Sequence, residues 1–317
     1  MSSLKIIFMG TADFAVPSLK KLCESSHHVL AVVTAPDLPR GRGQKILFTP
    51  VKEFALAHHL PVIQPGTEKG ALRDPAFIAE LKKYQADLFV VVAFRILPPE
   101  IFQLPPHGSI NLHASLLPKY RGAAPINWAI IRGEKETGVT TFFIQQKVDT
   151  GNLILQRSLP IGDNETAGEL HDRLAGLGAE ALLETVNLVA EDCVQLTFQN
   201  ESQATSAPKI FKEDCKINWN QPARVIQNFI RGLSPYPCAF SIFNGEPYKI
   251  FKSELEEKDV SEMPAVAIVE MQNKGFAVVC GDNKILWIKE IQPPSKKRMS
   301  VSDFIRGHKI EKFQKFE

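Results

Sequence analysis

Short apolar runs alternate with amphipathic segments from residue 4 to residue 188. Residues 4–9, 29–34 and 87–94 are almost entirely apolar, which predicts strands that are buried on both faces. Between the first two runs, residues 14–25 have apolar positions at helical spacing. A strand, a helix and a strand in this order indicate a βαβ unit, and therefore an α/β domain with a mainly parallel sheet.

The same patterns predict the other elements of this part of the chain. Helices are predicted over residues 50–59, 75–84, 126–131 and 166–188, and strands over 62–63, 139–145 and 153–159. By contrast, residues 36–45 contain too much proline and glycine for a regular element, so we predict a loop there.

The pattern changes after a polar segment near residue 200, which we interpret as part of a linker. Strand-like runs cover residues 240–243, 248–252, 265–269, 277–280 and 285–291, and turn-forming pairs such as Asn244-Gly245 separate them. Short strands joined by hairpin turns are typical of a small barrel or sandwich. We therefore predict a first domain over residues 1–189, a linker over 190–208 and a second domain over 209–317.

Composition narrows the class of protein. No stretch approaches the ~18 uninterrupted apolar residues of a membrane span, and the N-terminus lacks the architecture of a signal peptide. The 5 cysteines are scattered and form no C-x-x-C pair, which fits a cytoplasmic protein without a disulfide framework or a zinc site. Gly10 follows the first strand, but the other glycines of a dinucleotide-binding fingerprint are missing, which argues against bound NAD.

Positive and negative charges nearly balance over the whole chain, but they are unevenly distributed along the sequence. The formal net charge is +2, whereas residues 209–317 alone hold 18 lysines and arginines against 14 acidic residues. The basic C-terminal part weakly indicates an anionic partner. Two local clusters stand out: Arg40, Arg42 and Lys45 in the predicted loop, and the run Lys296-Lys297-Arg298. Either cluster could grip phosphates, or could simply be a solvated charged surface.

The strongest candidate chemistry follows a short apolar run at residues 109–110. Asn111 and His113 lie two residues apart, so an extended chain would turn both side chains to the same side. We expect them at the carboxyl end of a strand, where open α/β sheets bind ligands. Asp149 stands two residues before Gly151, a turn-forming residue. An amide donor, an imidazole and a carboxylate could together catalyse acyl transfer.

Several longer motifs resemble those of the folate-dependent formyltransferases. Residues 111–118 (Asn-Leu-His-Ala-Ser-Leu-Leu-Pro), 120–126 (Tyr-Arg-Gly-Ala-Ala-Pro-Ile) and 148–151 (Val-Asp-Thr-Gly) match the family signature. Other segments are similar to the branch that acts on methionyl-tRNA: residues 7–17, the loop around residue 41, and residues 49–52, 217–219, 230–233 and 235–237. The resemblance therefore extends over nearly the whole chain.

The resemblance implies a Rossmann-like catalytic domain and a smaller C-terminal OB-like β-barrel domain. It implies transfer of a formyl group from 10-formyltetrahydrofolate to the amino group of methionyl-initiator tRNA. We also expect a cytoplasmic monomer that needs no metal. The catalytic residues of the family correspond to Asn111, His113 and Asp149. Folate contacts correspond to Ser115, Leu116, Leu117, Pro118, Phe94, Arg95, Ile96 and Leu97, and tRNA contacts are expected at Arg40, Arg42, Lys45, Lys296, Lys297 and Arg298.

Two positions depart from the family pattern, and two alternatives stay open. Arg95 occupies a position where relatives often have glycine, and Asn218 replaces a common aspartate. The formyl acceptor could instead be a small amine, such as a glycinamide ribonucleotide or an amino sugar nucleotide. A protein from a different class, an RNA-binding module without catalytic activity, would leave the Asn111, His113 and Asp149 constellation unexplained.

Overall fold

The structure is a computed structural model that describes residues 2–40, 45–260, 267–272, 275–307 and 314–316. Its helices are α1 (Val16–Cys23), α2 (Pro50–Ala57), α3 (Pro75–Lys83), α4 (Pro99–Phe102), α5 (Pro125–Ile131), α6 (Ala167–Ala190), α7 (Ala223–Leu233) and α8 (Val301–Gly307). None of the described helices combines the length and apolar character needed to cross a bilayer. The chain divides into two compact units, which are described separately.

The first ten strands begin near the N-terminus and end before α6. They are β1 (Lys5–Gly10), β2 (His28–Val33), β3 (Leu38–Arg40), β4 (Lys45–Leu47), β5 (Val62–Ile63), β6 (Leu88–Val92), β7 (Ser109–His113), β8 (Arg121–Gly122), β9 (Glu136–Phe143) and β10 (Leu153–Pro160). The remaining strands are β11 (Ser206–Ala207), β12 (Ala239–Phe243), β13 (Glu246–Asp259), β14 (Ile268–Gln272), β15 (Gly275–Val279), β16 (Lys284–Gln292) and β17 (Met299–Ser300).

The first unit comprises residues 1–122, 138–159 and 171–206 and is built on one mixed sheet. Within its described residues the strand order is β10-β9-β7-β6-β1-β2-β5. The pairs β2–β5, β1–β2, β1–β6 and β6–β7 are parallel, and β9 runs antiparallel to β7. The predicted mainly parallel, Rossmann-like sheet is therefore confirmed.

Burial on both faces of this sheet explains its apolar strands. Ile6, Ile7, Phe8 and Met9 of β1 have no exposed surface. On one face, side chains from α3, α4 and β6 form a hydrophobic cluster that contains Phe77, Ile101 and Val91, among others. On the other face, α6 packs so closely that a Cβ at Gly178 would lie 2.8 Å from the side chain of Leu112. Because alternate residues of β7 face opposite ways, Asn111 and His113 point away from α6.

One prediction for this unit was wrong. Residues 36–45 do not form an irregular loop throughout, because β3 and β4 pair as antiparallel strands. Leu38 pairs with Leu47, and Arg40 pairs with Lys45. The high proline and glycine content predicted irregular structure, but Pro39 lies in an edge strand that tolerates proline.

The second unit comprises residues 123–137, 160–170 and 207–317. Within its described residues the sheet order is β12-β13-β16-β15-β14, with β17 paired to β16. A core cluster that includes Trp219, Ile230 and Phe304 packs α7 and α8 against this sheet. The predicted small C-terminal β domain is therefore confirmed, with strands close to their predicted positions.

The described strands of the second unit do not form a continuously paired barrel. Two isolated bridges instead link the sheet edges through the C-terminal residues: Phe243 pairs with Phe316, and Ala267 pairs with Lys315. Two segments from within the predicted first domain belong to this unit. The Arg231 guanidinium donates to the carbonyl oxygens of Gly162 and Glu165, which fixes one of these segments to α7.

Candidate active site

The candidate site is built on β7, which lies between β6 and β9. Asn111 pairs with Val91 of β6 and with Phe142 of β9, so the neighbouring strands fix its backbone. Two residues further, His113 ends the strand with a nearly buried side chain. Asn111 is only partly buried, and its amide makes no hydrogen bond with the described part of the chain. The amide is therefore available to a substrate.

His113 and Asp149 lie together, as the sequence predicts. His113 Nδ1 is 3.8 Å from Asp149 Oδ2, and His113 Nε2 is 2.8 Å from the carbonyl oxygen of Tyr120. Because a carbonyl oxygen only accepts, Nε2 must carry a hydrogen. The atom that gains or loses a proton is therefore Nδ1, which faces the carboxylate. The distance is longer than a direct hydrogen bond. An imidazole that faces a carboxylate is nevertheless a suitable general acid–base group.

The backbone around Asp149 is held in an unusual conformation. Asp149 has φ +55°, in the left-handed region that aspartate tolerates better than most residues. Its Oδ2 accepts a hydrogen bond of 2.9 Å from the Gly122 backbone N–H. At Gly151 a Cβ would come within 1.7 Å of the Phe143 carbonyl oxygen, so only glycine fits. The loop thus presents the carboxylate toward His113 in one fixed orientation.

A second support for this loop comes from a residue that the sequence analysis missed. Gln199 Nε2 donates hydrogen bonds of 2.9 Å to the carbonyl oxygens of both Asp149 and Gly151. Arg121 in turn donates to Gln199 Oε1 and makes a two-pronged contact with Glu201. Hydrogen bonds from Arg121 lower the pKa of the Glu201 carboxyl. Residues 199–201 therefore belong to the support of the site, although the sequence analysis placed them in a linker.

The first predicted folate segment, Ser115 to Pro118, is held mainly from within the protein. Ser115 is fully buried, and its Oγ donates to the Lys119 carbonyl oxygen at 2.6 Å. Thr140 Oγ1 donates to the Ser115 carbonyl oxygen and accepts from the Leu117 N–H. The Leu117 side chain is buried as well. The partly exposed side chains of Leu116 and Pro118 therefore provide the surface that a ligand could reach.

The second predicted folate segment, Phe94 to Leu97, follows β6. Phe94 is half-buried, and Leu97 is buried in the hydrophobic cluster that α3, α4 and β6 form on one face of the sheet. Ile96, by contrast, is 72% exposed. Among the described residues, Arg95 Nε and Nη2 are buried and have no hydrogen-bond partner, and Nη1 makes a long 3.4 Å contact with the Gly66 carbonyl oxygen. Burial lowers the pKa of the Arg95 guanidinium.

A cavity of about 510 Å³ adjoins the start of β7 and the end of β9. Its walls combine aromatic rings, prolines and side-chain amides: Pro99, Phe102, Gln103, Pro105, Pro106, Gly108, Ser109, Phe143, Ile144, Gln145 and Gln146. Ser109 lies two residues before Asn111 on the same face, and Gln146 leads into the Asp149 loop. The cavity therefore lies at the end of β7 opposite to His113, and none of the predicted folate residues lines it.

The predicted tRNA residues lie in two places. Arg40 and Lys45 are paired in the β3–β4 hairpin, while Arg42 lies outside the described residues. Lys296 and Lys297 are exposed on the second unit. The Arg298 guanidinium pairs with Glu290 and lies 4.4 Å from the centre of the Phe251 ring.

No group of three or more histidine, cysteine, aspartate or glutamate side chains that could hold a metal ion occurs within the described ranges.

Comparison with known proteins agrees with these motifs. The family profile described as "Formyl transferase" matches residues 4–186, and the profile for the "Formyl transferase, C-terminal domain" matches residues 209–309. Methionyl-tRNA formyltransferase from Alkaliphilus oremlandii is 49% identical over 98% of both chains. The enzyme of that name from Caldanaerobacter subterraneus is 47% identical over 97% of this chain and 98% of its own. The chain belongs to the methionyl-tRNA formyltransferase family.

Solved structures with the same fold extend beyond this branch of the formyltransferases. An N-formyltransferase from Helicobacter canadensis is similar with a TM-score of 0.66 and 25% identity, covering 90% of this chain and 98% of its own. WlaRD, a sugar 3N-formyl transferase, gives a TM-score of 0.65 at 22% identity, covering 94% of this chain and 100% of its own. The second likeness supports the fold alone.

The role of Gln199 in this methionyl-tRNA formyltransferase family member can be tested directly. Gln199→Ala removes both hydrogen bonds that fix the carbonyl oxygens of the Asp149 loop, so the carboxylate should lose its alignment with His113. We expect kcat for formyl transfer to fall about 10- to 100-fold, as small misplacements of reacting groups typically do. Steady-state kinetics would measure this effect.

Gln203→Ala is the matched control, because Gln203 is exposed in the same segment. The control should retain wild-type kcat, and both variants should melt close to the wild-type Tm. Equal activity in both variants would show that Gln199 does not position the loop.

Proposed function

We propose that this protein transfers the formyl group of 10-formyltetrahydrofolate to the amino group of methionyl-initiator tRNA. The product, N-formylmethionyl-tRNA, would serve translation initiation. The observation that supports this most directly concerns His113, which lies on the same strand as Asn111. Its Nδ1 is 3.8 Å from the carboxylate of Asp149. Full-length relatives named methionyl-tRNA formyltransferase, such as that of Alkaliphilus oremlandii at 49% identity, support the choice of acceptor.

The reaction needs an acid–base group and a hydrogen-bond donor for a carbonyl oxygen. The folate supplies a formyl group on its N10 atom. The α-amino nitrogen of methionine forms a bond to the formyl carbon as the bond from that carbon to N10 breaks, and the amine proton is transferred to N10. An α-amino group titrates near pH ~8. A sizeable fraction is therefore neutral at working pH, and the protein must mainly position it.

Asn111 is suited to stabilise the charge that develops on the formyl oxygen. Its partly exposed side chain carries two N–H donors, and strand pairing on both sides holds its backbone. A donor that is fixed in advance stabilises developing charge without further reorganisation of its surroundings.

His113 and Asp149 are suited to move the proton. Nε2 of His113 donates to the Tyr120 carbonyl oxygen, which leaves Nδ1 to accept a proton and return it. The Asp149 carboxylate lies 3.8 Å from Nδ1, on the side where that exchange takes place. The Gly122 N–H and Gln199 keep the carboxylate in position.

The two predicted folate segments offer a surface for a pterin ring. Leu116 and Pro118 are partly exposed in the first segment, and Ile96 is exposed in the second, so a ligand could contact these side chains.

The proposal also includes the residues that contact the tRNA, the cellular compartment and the oligomeric state. Phosphate contacts are expected from Arg40, Arg42 and Lys45 and from the run Lys296 to Arg298, because a polyanion attracts cationic side chains. All five cysteines are free thiols, in agreement with a cytoplasmic setting. We expect the protein to act as a monomer.

A formyl-transfer assay tests the proposal. Radiolabelled 10-formyltetrahydrofolate would be offered with methionyl-initiator tRNA and, in separate reactions, with a glycinamide ribonucleotide and an amino sugar nucleotide. We expect label in the acid-insoluble tRNA fraction and none in the small amines. Transfer to a small amine alone would overturn the acceptor assignment, and the absence of any transfer would overturn the enzymatic proposal.

A further inference from the structure

An aromatic side chain of the second unit extends almost freely from its surface. Tyr236 lies between Pro235 and Pro237, in the turn between α7 and β12, and is 83% exposed. The turn itself is fixed, because Pro235 packs against Gly168 and the Cys238 N–H donates to the Leu233 carbonyl oxygen. This large ring therefore buries little of its surface within the folded chain.

Two lysines of β13 lie near this turn on the face of the sheet opposite to the core. Lys249 pairs with Gln292 and Lys252 pairs with Glu290, so both lysines lie on one face of these strands, opposite to the core residue Ile250. The strand pairing of Ala239 with Ile250 brings the end of the turn alongside that part of β13. Both lysines are exposed.

The predicted basic run joins the same face. The Gln292 side chain donates to the Lys296 carbonyl oxygen, which ties the run to the end of β16 beside Lys249. Burial raises the pKa of the Cys238 thiol, at the end of the turn, to about 12. The positive charges of Lys249 and Arg298 oppose this rise, so both side chains lie near Cys238. We define the Tyr236 patch as Tyr236, Lys249, Lys252, Lys296, Lys297 and Arg298.

The patch keeps an excess of positive charge. Glu290 pairs with Arg298, and Glu169 lies near Lys252. Lys249 and Lys252 form no salt bridge with any described residue. The patch therefore contains five cations, and the carboxylates of Glu290 and Glu169 lie beside two of them. Surfaces of this kind, with cations around an aromatic platform, suit a nucleic-acid strand better than a protein partner, because each base can stack and each phosphate can pair.

We propose that the Tyr236 patch binds the tRNA by stacking an unpaired base on the Tyr236 ring while Lys249 and Lys252 contact the adjoining phosphates. This inference rests on the proposed function and deepens it, since it names where and how the C-terminal domain holds the acceptor. The predicted run Lys296 to Arg298 is then one edge of a larger surface.

Filter binding of methionyl-initiator tRNA tests the patch. Tyr236→Ala should raise Kd about tenfold, as expected for the loss of one stacked base, and should leave the salt dependence of binding unchanged. Tyr236→Phe keeps the ring and should bind like the wild type. The double variant Lys249→Ala/Lys252→Ala should lower the slope of log Kd against log salt by roughly 1.5, because two phosphate contacts are lost.

The control is Lys82→Ala, which removes an exposed cation from α3 in the first unit and should change neither quantity. Binding by Tyr236→Ala within twofold of the wild type, or equal losses in Tyr236→Ala and Tyr236→Phe, would overturn the stacking assignment. The wild-type formyl-transfer assay separates this outcome from failure of the proposed function: a wild type that formylates tRNA while Tyr236→Ala binds normally overturns only the patch.

Discussion

Replacement of Asp149 by asparagine is expected to reduce kcat of formyl transfer about 10²- to 10⁴-fold, the range that acid–base catalysis typically contributes. An asparagine oxygen can still accept the Gly122 N–H, so the loop should keep its conformation. That oxygen would take the place of Oδ2, which is also the carboxylate atom nearest His113 Nδ1, so the negative charge beside Nδ1 would be lost. A proton on Nδ1 would then lack the opposite charge that stabilises it during the reaction.

Single-turnover kinetics with saturating tRNA would measure this loss, and tRNA binding should remain at the wild-type level. A double variant, His113→Ala with Asp149→Asn, provides the sharper test. If the two side chains act as one unit, the double variant should be about as slow as the slower single variant. Losses that multiply would instead show that the two groups act independently.

The sequence predicted the main elements of the fold because local patterns carry that information. Apolar runs identified β1, β2 and β6, and the alternation at Asn111 and His113 correctly put both on one side of β7. The meeting of His113 with Asp149 depends on how the loop after β9 folds. Only the likeness to a family predicted that meeting.

Features that depend on distant contacts escaped prediction. Gln199 looks like any polar residue of a linker, and its role depends on the carbonyl oxygens of Asp149, 50 residues away. Residues 123–137 group with the second unit because the Asn127 amide donates to the Gly232 carbonyl oxygen, and no local pattern in α5 indicates that partner. Tyr236 and Lys249 become neighbours only through the strand pairing of β12 with β13.

Asn111→Ala is expected to lower kcat about 10²- to 10³-fold with little change in KM, because the amide would act on charge that is present only in the transition state. The backbone of Asn111 is fixed by pairing with Val91 and Phe142, and the side chain is partly exposed. The alanine variant should therefore fold normally, and its Tm should confirm this.

The companion variant Asn111→Asp separates a donor role from a merely steric one. A carboxylate has nearly the same shape as the amide but offers no donor, and its negative charge would oppose the charge that develops on the formyl oxygen. We therefore expect Asn111→Asp to be slower than Asn111→Ala when both are measured in single turnovers. If Asp and Ala were equally slow, charge at this position would not matter to the reaction. A defect confined to KM would make Asn111 a ground-state binding residue, since uniform binding changes KM alone.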